Sequence, residues 1–471
     1  MENFDVVVIG AGPGGYPAAI RAAQLGAKVA LVERENLGGT CLNVGCIPTK
    51  ALIACADAFA HLRDAAKLGV KATNISADFG AMMAHKQGVV TQLRKGVGAL
   101  LAGNGVKVFQ GQAAFEAHDQ IVIEHRTSNT EQPTSNTRIK AGKFIIATGS
   151  TSVMPGFLPK HARVVESRSF LDLQQLPASM IVMGGGYIGC ELACLAAALG
   201  VKVTVVELLE DVLMLLDNDV RREVKKHMEQ KLGMRILTGK PLENISAEAG
   251  GISAEVGGEK LSAELLLVAV GRKPVTDGLE LERAGLKTNE RGFIPVDEFN
   301  RTAVASIYAI GDVNGGMQLA HAATSQAMIA AESACGKKPH KNETLIPGVI
   351  FTMPEVAIVG LTEADAKKQG RAIKTGRFPF AALGRALAAG LPEGFVKLIA
   401  DAGSDQLLGA QAVGAHATDL IAPATLAIRA ELTAAELGRT VHAHPTFGEI
   451  WMEAAHALHG ECIHAAPRKK A

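Results

Sequence analysis

Residues 4–15 have the sequence FDVVVIGAGPGG, an apolar stretch that ends in a cluster of glycines. A helix-like stretch of small residues follows, and a second β-branched stretch ends at Glu33. This order is typical of a strand, a tight turn, a helix and a parallel strand, in which glycines admit a pyrophosphate and the acid binds a ribose hydroxyl. The pattern predicts a βαβ unit that holds a dinucleotide at the helix N-terminus, through Gly10, Gly12, Gly15 and Glu33.

The same plan recurs between Ile181 and Glu207, with the cluster GGGYIG at residues 184–189. Two dinucleotide sites are therefore expected. At the second site a carboxylate repels a 2′-phosphate, and Leu208 and Leu209 supply no arginine to bind one, so NAD is predicted rather than NADP. The candidate ligands at this site are Gly184, Gly186, Gly189 and Glu207. The apolar stretch from Ile181 onwards is expected to be a buried strand, turn and helix, because glycines and a charged residue interrupt it.

A second kind of motif, GGTCLNVGCIPTK at residues 38–50, follows the first βαβ unit directly. It places Cys41 and Cys46 five positions apart at a glycine-rich helix start, where a helix N-terminus lowers the pKa of a thiol. The two thiols are predicted to form a redox disulfide. The alternatives are inert structural cysteines and a zinc site, but zinc usually takes a second cysteine pair, which this sequence lacks. No metal is therefore expected.

The C-terminal part offers a base for thiol chemistry in VHAHPTFGE, residues 441–449. Glu449 follows His444 by five residues and can orient its ring for proton transfer. In isolation, a surface histidine is the more ordinary explanation for such a residue. The redox motif elsewhere in the chain makes a catalytic role the better hypothesis.

Composition limits the partners and the compartment. The 471 residues carry 48 Lys and Arg against 47 Asp and Glu, so no strong field attracts a polyanion or an anionic membrane. Neither nucleic acid nor membrane insertion is expected. Seven cysteines form no disulfide framework in so long a chain and indicate a reducing compartment. Because the N-terminus lacks a secretory pattern, we expect the mature chain to start there and to be cytoplasmic.

Together these motifs resemble those of the class I pyridine nucleotide-disulfide oxidoreductases, over about Phe4 to Leu458. The most specific pieces are GTCLNVGCIP with Lys50, AIGDV at 309–313, LAH at 319–321 and HAHPT at 442–446. Two positions depart from the family pattern. Thr49 stands where many members have Ser, and Phe447-Gly448 replaces the commoner Leu-Ser.

The resemblance implies FAD at the first site, with Glu33 on its ribose, Asp312 on its ribityl chain and Lys50 near the flavin ring. Lys50 is also implied to pair with Glu191, and Tyr187 to cover the flavin until nicotinamide arrives. The residues implied to contact FAD are Gly10, Gly12, Gly15, Glu33, Gly39, Thr40, Lys50, Ala113, Thr148, Gly149, Ser150, Asp312, Leu319, Ala320 and His321. Those implied to contact NAD are Gly184, Gly186, Tyr187, Ile188, Gly189, Glu191, Glu207 and Gly271.

For catalysis, the resemblance implies that Cys46 lies against the flavin as a thiolate while Cys41 meets a substrate dithiol. His444, from the other subunit of a homodimer and oriented by Glu449, is implied to accept the proton. Electrons would run from a protein-bound dihydrolipoyl group through the disulfide and FAD to NAD+, giving NADH. The implied partners are lipoyl-bearing acyltransferases or glycine-cleavage carrier proteins. Two alternatives stay open: a related FAD enzyme acting on another small disulfide or a dedicated lipoyl carrier, and a non-catalytic docking component.

The expected fold is α/β, with two Rossmann-like dinucleotide-binding domains and an α+β C-terminal dimerisation domain. The expected boundaries are 1–150 for the first part of the FAD-binding domain, 151–273 for the NAD-binding domain, 274–343 for the second part of the FAD-binding domain, and 344–471 for the interface domain. A polar run at 126–138 is expected to be an exposed loop, and a small-residue helix is expected from about Ala417 to Leu432. Cys462 is assigned no role.

Overall fold

The computed structural model describes residues 1–125 and 135–466. The strands are β1 (Glu2–Ile9), β2 (Val29–Glu33), β3 (Lys107–Gln110), β4 (Gln112–Ala117), β5 (Gln120–His125), β6 (Ser135–Ile146), β7 (Ser150–Ser152), β8 (Val164–Glu166), β9 (Ser179–Met183), β10 (Lys202–Glu207), β11 (Arg235–Thr238), β12 (Glu243–Glu248), β13 (Gly251–Val256), β14 (Glu259–Ala263), β15 (Leu265–Val268), β16 (Arg272–Pro274), β17 (Ile307–Ala309), β18 (Gly348–Ile350), β19 (Val356–Gly360), β20 (Ile373–Pro379), β21 (Gly394–Asp401) and β22 (Leu407–Gly414). The helices are α1 (Gly15–Gln24), α2 (Gly39–Val44), α3 (Cys46–Asp64), α4 (Phe79–Gly103), α5 (Ser167–Phe170), α6 (Tyr187–Ala198), α7 (Asn218–Gln230), α8 (Ala320–Ala334), α9 (Glu363–Lys368), α10 (Gly384–Ala388), α11 (Ala417–Arg429), α12 (Ala434–Arg439) and α13 (Glu449–His459). Short 3-10 turns lie at Ala65–Leu68, Leu281–Ala284, Gly311–Asn314 and Phe380–Ala382.

The chain forms two compact units, each assembled from separate stretches of sequence. The first unit comprises Met1–Leu52, Gly80–Val153 and Gly271–Thr344. The second comprises Ile53–Phe79, Met154–Val270 and Leu345–Ala471. The first unit therefore contains the first glycine turn and the redox motif, and the second contains the repeated glycine turn and the C-terminal histidine motif.

The first unit is built on a sheet whose neighbours β3, β2, β1 and β6 are parallel, with β17 parallel to β6 as well. Strands of such a sheet are covered on both faces, so they are apolar at nearly every position. In β1, Val7 and Ile9 pack into one core cluster, whereas Val6 and Val8 pack into the other. The continuous apolar stretch that opens the sequence is explained by this two-sided burial.

The polar run at 126–138 differs in part from the expected loop. Residues 126–134 lie outside the described part of the chain. Residues 135–138 are not loop but the start of β6, which pairs antiparallel with β5 from His125↔Ser135 onwards. Polar side chains are accommodated there because that end of the strand is exposed, in contrast to its buried end at Ile145 and Ile146.

The second unit carries a parallel sheet of its own, in the order β11-β10-β9-β15-β8. The helix α6 follows β9 and is buried at every position from Gly189 to its end at Ala198. The predicted buried strand, turn and helix after Ile181 is therefore confirmed. An antiparallel sheet of β12, β13 and β14 adds to this part of the unit.

The C-terminal part of the second unit is α+β. Its sheet has the antiparallel order β18-β19-β22-β21-β20, and α13 packs on β20 and β21. The fully buried Trp451 on α13 donates its indole N–H to the Leu420 carbonyl at 2.7 Å. The helix expected to reach about Leu432 ends at Arg429, because Glu431 has a φ of 56° and turns the chain back. The expected α/β fold class is confirmed.

One apolar segment of the described residues, Gly39–Leu68, is long and apolar enough to cross a membrane by length and composition alone. The most apolar window of this segment has a mean hydropathy of 1.2 and is 39% buried. Core helices of soluble proteins share these properties, and this segment contains the two thiols of the redox motif.

Candidate active site

The two glycine turns have the same geometry. Gly10 and Gly184 adopt φ of 100° and 110°, which side-chain-bearing residues rarely adopt. A Cβ on Gly10 would lie 2.4 Å from the Ala147 carbonyl oxygen, and one on Gly184 would lie 2.4 Å from that of Ala269. Each turn leads into a helix, α1 or α6, whose N-terminus can hold a diphosphate.

The acids that end the two βαβ units bind the backbone in the same way. Glu33 accepts hydrogen bonds from the N–H groups of Ala11 and Glu35, both at 2.7 Å. Glu207 accepts the equivalent pair from Gly185 at 2.6 Å and from Leu209 at 2.8 Å. Burial raises the pKa of Glu33, although these backbone hydrogen bonds oppose the rise. Each carboxylate is thus held beside its glycine turn, where the remaining lone pairs can accept ribose hydroxyls.

A cleft lies beside the first turn. Its lining contains the predicted residues Gly10, Glu33, Ala113 and Thr148. Sequence reasoning missed further lining residues, namely Arg34, Gln112 and Asp277. Arg34 could have been found because it follows Glu33 directly, but nothing near Asp277 in the sequence signals a nucleotide. The lining fits an adenosine, because it combines apolar walls with a buried carboxylate.

The residues from later in the chain that are predicted to bind FAD also lie in the first unit. Thr148 Oγ1 donates to the Val275 carbonyl at 2.6 Å, and the Ser150 hydroxyl donates to Asp312. Asp312 lies in the turn Gly311–Asn314, which directly follows the short strand β17 and the residue Ile310. Leu319 precedes α8, which begins with Ala320 and His321.

The redox motif folds as two helices separated by Gly45. Cys41 lies in α2, and Cys46 is the first residue of α3. A Cβ on Gly45 would lie 3.0 Å from the Thr40 carbonyl oxygen, so a larger residue would require the turn to shift by a few tenths of an ångström. The hydroxyl of Thr49 donates to the Gly45 carbonyl at 2.7 Å, which ties α3 to the turn.

The two thiols contact each other. The pKa of Cys41 is raised, first by its hydrogen bond with Cys46 and then by burial, while the charge of Lys50 acts in the opposite direction. Cys41 is half-buried and Cys46 is exposed. Because Cys46 begins a helix of 19 residues, negative charge is favoured at its position.

The C-terminal histidine is bound as the sequence predicts. His444 Nδ1 donates to Glu449 Oε1 at 2.7 Å, and the Thr446 N–H donates to Oε2 at 2.8 Å. Burial acts to raise the pKa of Glu449, but these hydrogen bonds outweigh it and lower the pKa. The imidazole itself is 78% exposed in the single chain.

The structure thus distributes the predicted residues over its two units. Every residue predicted to contact FAD lies in the first unit, together with Cys41 and Cys46. Those predicted to contact NAD lie in the second unit, except Gly271, and His444 and Glu449 also belong to the second unit.

Comparison with known proteins is consistent along the whole chain. Residues 4–327 match the family described as pyridine nucleotide-disulphide oxidoreductase, and residues 346–455 match the dimerisation domain of that family. Dihydrolipoyl dehydrogenase of Chlamydia muridarum (strain MoPn / Nigg) is 40% identical over 472 residues, which cover 100% of both chains. Dihydrolipoyl dehydrogenase of Staphylococcus aureus is 43% identical over 466 residues, which cover 98% of this chain and 97% of the relative.

Among solved structures, the Cu(II) complex of the HOCl-induced flavoprotein disulfide reductase RclA from Escherichia coli has a TM-score of 0.87 at 29% identity, covering 97% of this chain and 99% of that one. FAD and NAD are the cofactors that these relationships assign to the chain, in agreement with its two dinucleotide turns. The dimerisation domain indicates a homodimer. From its glycine turns to its C-terminal domain, this chain is a member of the pyridine nucleotide-disulphide oxidoreductase family.

Proposed function

We propose that the chain catalyses the oxidation of dihydrolipoyl groups by NAD+, yielding the lipoyl disulfide, NADH and a proton. The observation that carries this proposal is the contact between the thiols of Cys41 and Cys46 in the unit that also holds the first dinucleotide cleft. Full-length relatives named dihydrolipoyl dehydrogenase, at 40% and 43% identity, support the choice of substrate.

FAD, when bound, supplies a two-electron relay between the thiols and the nicotinamide. The chain's own residues would hold it at the glycine turn that starts with Gly10, at the carboxylate of Glu33 and at Asp312. The second turn, with Glu207, would hold NAD. We assign residues 1–150 and 274–343 to FAD binding, 151–273 to NAD binding and 344–471 to the subunit interface.

Each thiol has its own role in the proposal. Cys41 exchanges with the substrate dithiol, and Cys46 carries the thiolate next to the flavin. The raised pKa of Cys41 supports this division, since the proton shared by the pair then stays on Cys41. Charge on Cys46 is stabilised by the N-terminus of α3.

The base in the proposal is His444, acting on the substrate dithiol at the site of the other subunit. Its Nδ1 is bound to Glu449, so Nε2 is the nitrogen that exchanges a proton. The exposure of the ring in the single chain supports a partner outside its own chain.

We further propose that the dihydrolipoyl group arrives on an acyltransferase or a glycine-cleavage carrier protein. A cytoplasmic location fits the cysteine content of the chain, whose odd count leaves at least one thiol unpaired. A second candidate is reduction of another small disulfide, which the similarity to a flavoprotein disulfide reductase favours.

Turnover of purified protein separates these candidates. The absorbance of NADH would report NAD+ reduction with dihydrolipoamide, reduced glutathione or reduced coenzyme A as the thiol donor, and Cys41→Ser would serve as the matched control. Of the three donors, we expect only dihydrolipoamide to give fast turnover, and we expect Cys41→Ser to give no turnover with it. Equal or better turnover with one of the other thiols would replace the lipoyl assignment by the second candidate.

A further inference from the structure

The first unit contains a short ribbon formed by the two segments that connect its chain to residues 154–270. Strands β7 and β16 pair antiparallel in it, with Arg272 opposite Ser152 and Pro274 opposite Ser150. The Val153 N–H donates to the Gly271 carbonyl at 3.0 Å at one end of the ribbon. The outgoing and the returning segments are therefore fixed to each other where the chain leaves and re-enters this unit.

Arg272 binds a single residue of the opposite strand twice. Its Nε donates to Ser150 Oγ at 2.7 Å, and its Nη2 donates to the Ser150 carbonyl oxygen at 2.7 Å. The side chain of Arg272 is only 12% exposed. Since the guanidinium is planar and rigid, two parallel hydrogen bonds fix both the backbone and the hydroxyl of Ser150.

The hydroxyl of Ser150, which Arg272 holds, in turn holds the carboxylate of Asp312. It donates to Asp312 Oδ2, and Arg272 Nε lies 3.9 Å from the same oxygen. The Ser150 oxygen accepts the hydrogen bond from Arg272 through a lone pair. The single hydroxyl proton of Ser150 is therefore free to point at the carboxylate of Asp312. Ser150 is buried, whereas the side chain of Asp312 remains 24% exposed, so Oδ1 is the oxygen left for a ligand.

We infer that Arg272 is a positioning residue for FAD: through Ser150 it holds the carboxylate of Asp312 in the orientation that receives hydroxyl groups of the ribityl chain. The inference rests on the proposed assignment of Asp312 to FAD. It adds that the ribbon residue Arg272, which does not itself line the adenosine cleft, controls flavin affinity.

The test measures FAD affinity of the apoprotein by flavin fluorescence, so that it does not depend on turnover. Arg272→Met and Ser150→Ala are each expected to weaken FAD binding roughly ten- to a hundred-fold, the usual effect of losing a hydrogen bond that involves a charged group. The double variant should be no weaker than the weaker single variant, because both changes break one relay. Arg272→Lys keeps the charge but not the paired hydrogen bonds. Its FAD affinity should therefore fall between that of the wild type and that of Arg272→Met.

Arg138→Met is the matched control, since Arg138 lies in the same unit and is 55% exposed in an ion pair with Glu116. Its FAD affinity should equal that of the wild type. If Arg272→Met fails to fold, as judged by circular dichroism of the apoprotein, the smaller change Ser150→Ala carries the test.

Asp312→Asn separates failure of the relay from failure of the assignment on which it rests. Normal FAD affinity in Asp312→Asn would remove Asp312 from the flavin site altogether. Suppose that Asp312→Asn binds FAD weakly while Ser150→Ala binds it with wild-type affinity. That result would overturn the role of Arg272 but leave Asp312 in the flavin site. Strictly additive losses in the double variant would also overturn the relay.

Discussion

His444 and Glu449 are joined by a hydrogen bond of 2.7 Å between Nδ1 and Oε1, at the point where α13 begins. The same carboxylate binds the Thr446 N–H through Oε2, so both of its oxygens hold the loop that carries the histidine. Glu449 therefore fixes the ring in two ways, by direct contact and by shaping the loop.

Replacing Glu449 with Gln should slow dihydrolipoamide oxidation by roughly ten- to a hundred-fold, because a charge-assisted hydrogen bond to the base is lost. His444→Gln should slow it more, by roughly a hundred- to ten-thousand-fold. Reduction of an artificial dye by NADH should be spared in both variants, since that route does not use the base. Equal loss of dye reduction would show general damage rather than loss of proton transfer.

Mixing inactive His444→Gln and Cys41→Ser subunits should restore activity. In a heterodimer with shared sites, one site has both residues intact and the other has neither. Recovered turnover should follow the heterodimer fraction measured by native mass spectrometry. A mixture that stays inactive after proven subunit exchange would assign His444 to the thiols of its own chain.

Replacing each thiol should give a distinct spectrum in the FAD-loaded protein. Two-electron reduction of the wild type should produce a long-wavelength absorption band from the Cys46 thiolate beside the flavin. Cys46→Ser should lack this band, and Cys41→Ser should show it without reductant. The control Cys462→Ser, which changes a thiol that donates to Glu453 at 3.1 Å, should behave as the wild type. Exchanged spectra for the first two variants would reverse the roles of the thiols.

NADH should be preferred to NADPH by roughly hundreds-fold in kcat/KM. The carboxylate of Glu207 is held beside the turn by Gly185 and Leu209, and it would repel a 2′-phosphate by a few kcal/mol. Glu207→Ala should narrow the preference, while raising KM for NADH because both N–H groups lose their acceptor. If Glu207→Ala preferred NADH to NADPH as strongly as the wild type, residues other than Glu207 would have to discriminate between the two nucleotides.

Acid should weaken the C-terminal part through Asp405. Burial acts to raise the pKa of this residue, but hydrogen bonds from Lys374, His459 and the Ala435 N–H bring it down to about 2, from 3.8. A depressed folded-state pKa contributes stability above pH 3.8 that is lost as the pH falls through about 2.

Asp405→Asn should therefore lower the free energy of unfolding by about 1–2 kcal/mol at neutral pH and remove the pH dependence over that window. Urea unfolding at several pH values measures this. Asp119→Asn, which changes a carboxylate that is 43% exposed, is the control and should have little effect. A steep acid dependence that persists in Asp405→Asn would assign it to other carboxylates.

Much of the fold and of the candidate site follows from local sequence. The turns at Gly10 and Gly184 could be predicted because their φ angles and close backbone contacts allow only glycine. The pairing of His444 with Glu449 could be predicted because the two residues are five positions apart in one motif. Local patterns failed at residues 135–138, whose polar composition suggested a loop although these residues pair with the preceding strand β5.

Contacts between distant residues were decided by the tertiary structure. Lys397 is almost fully buried, yet it binds Asp217, Asp219 and Glu363 at 2.7–2.8 Å, from segments 34 to 180 positions away. A buried charge is tolerated only with such partners, and no pattern near Lys397 announces them. Arg272 likewise finds Ser150 only because two crossing segments pair in a ribbon. The sequence by itself determined the glycine turns, the thiol pair and the pairing of His444 with Glu449, since each depends on neighbours along the chain. The tertiary structure alone decided which charged groups hold these elements in place, because that depends on which distant segments fold against each other.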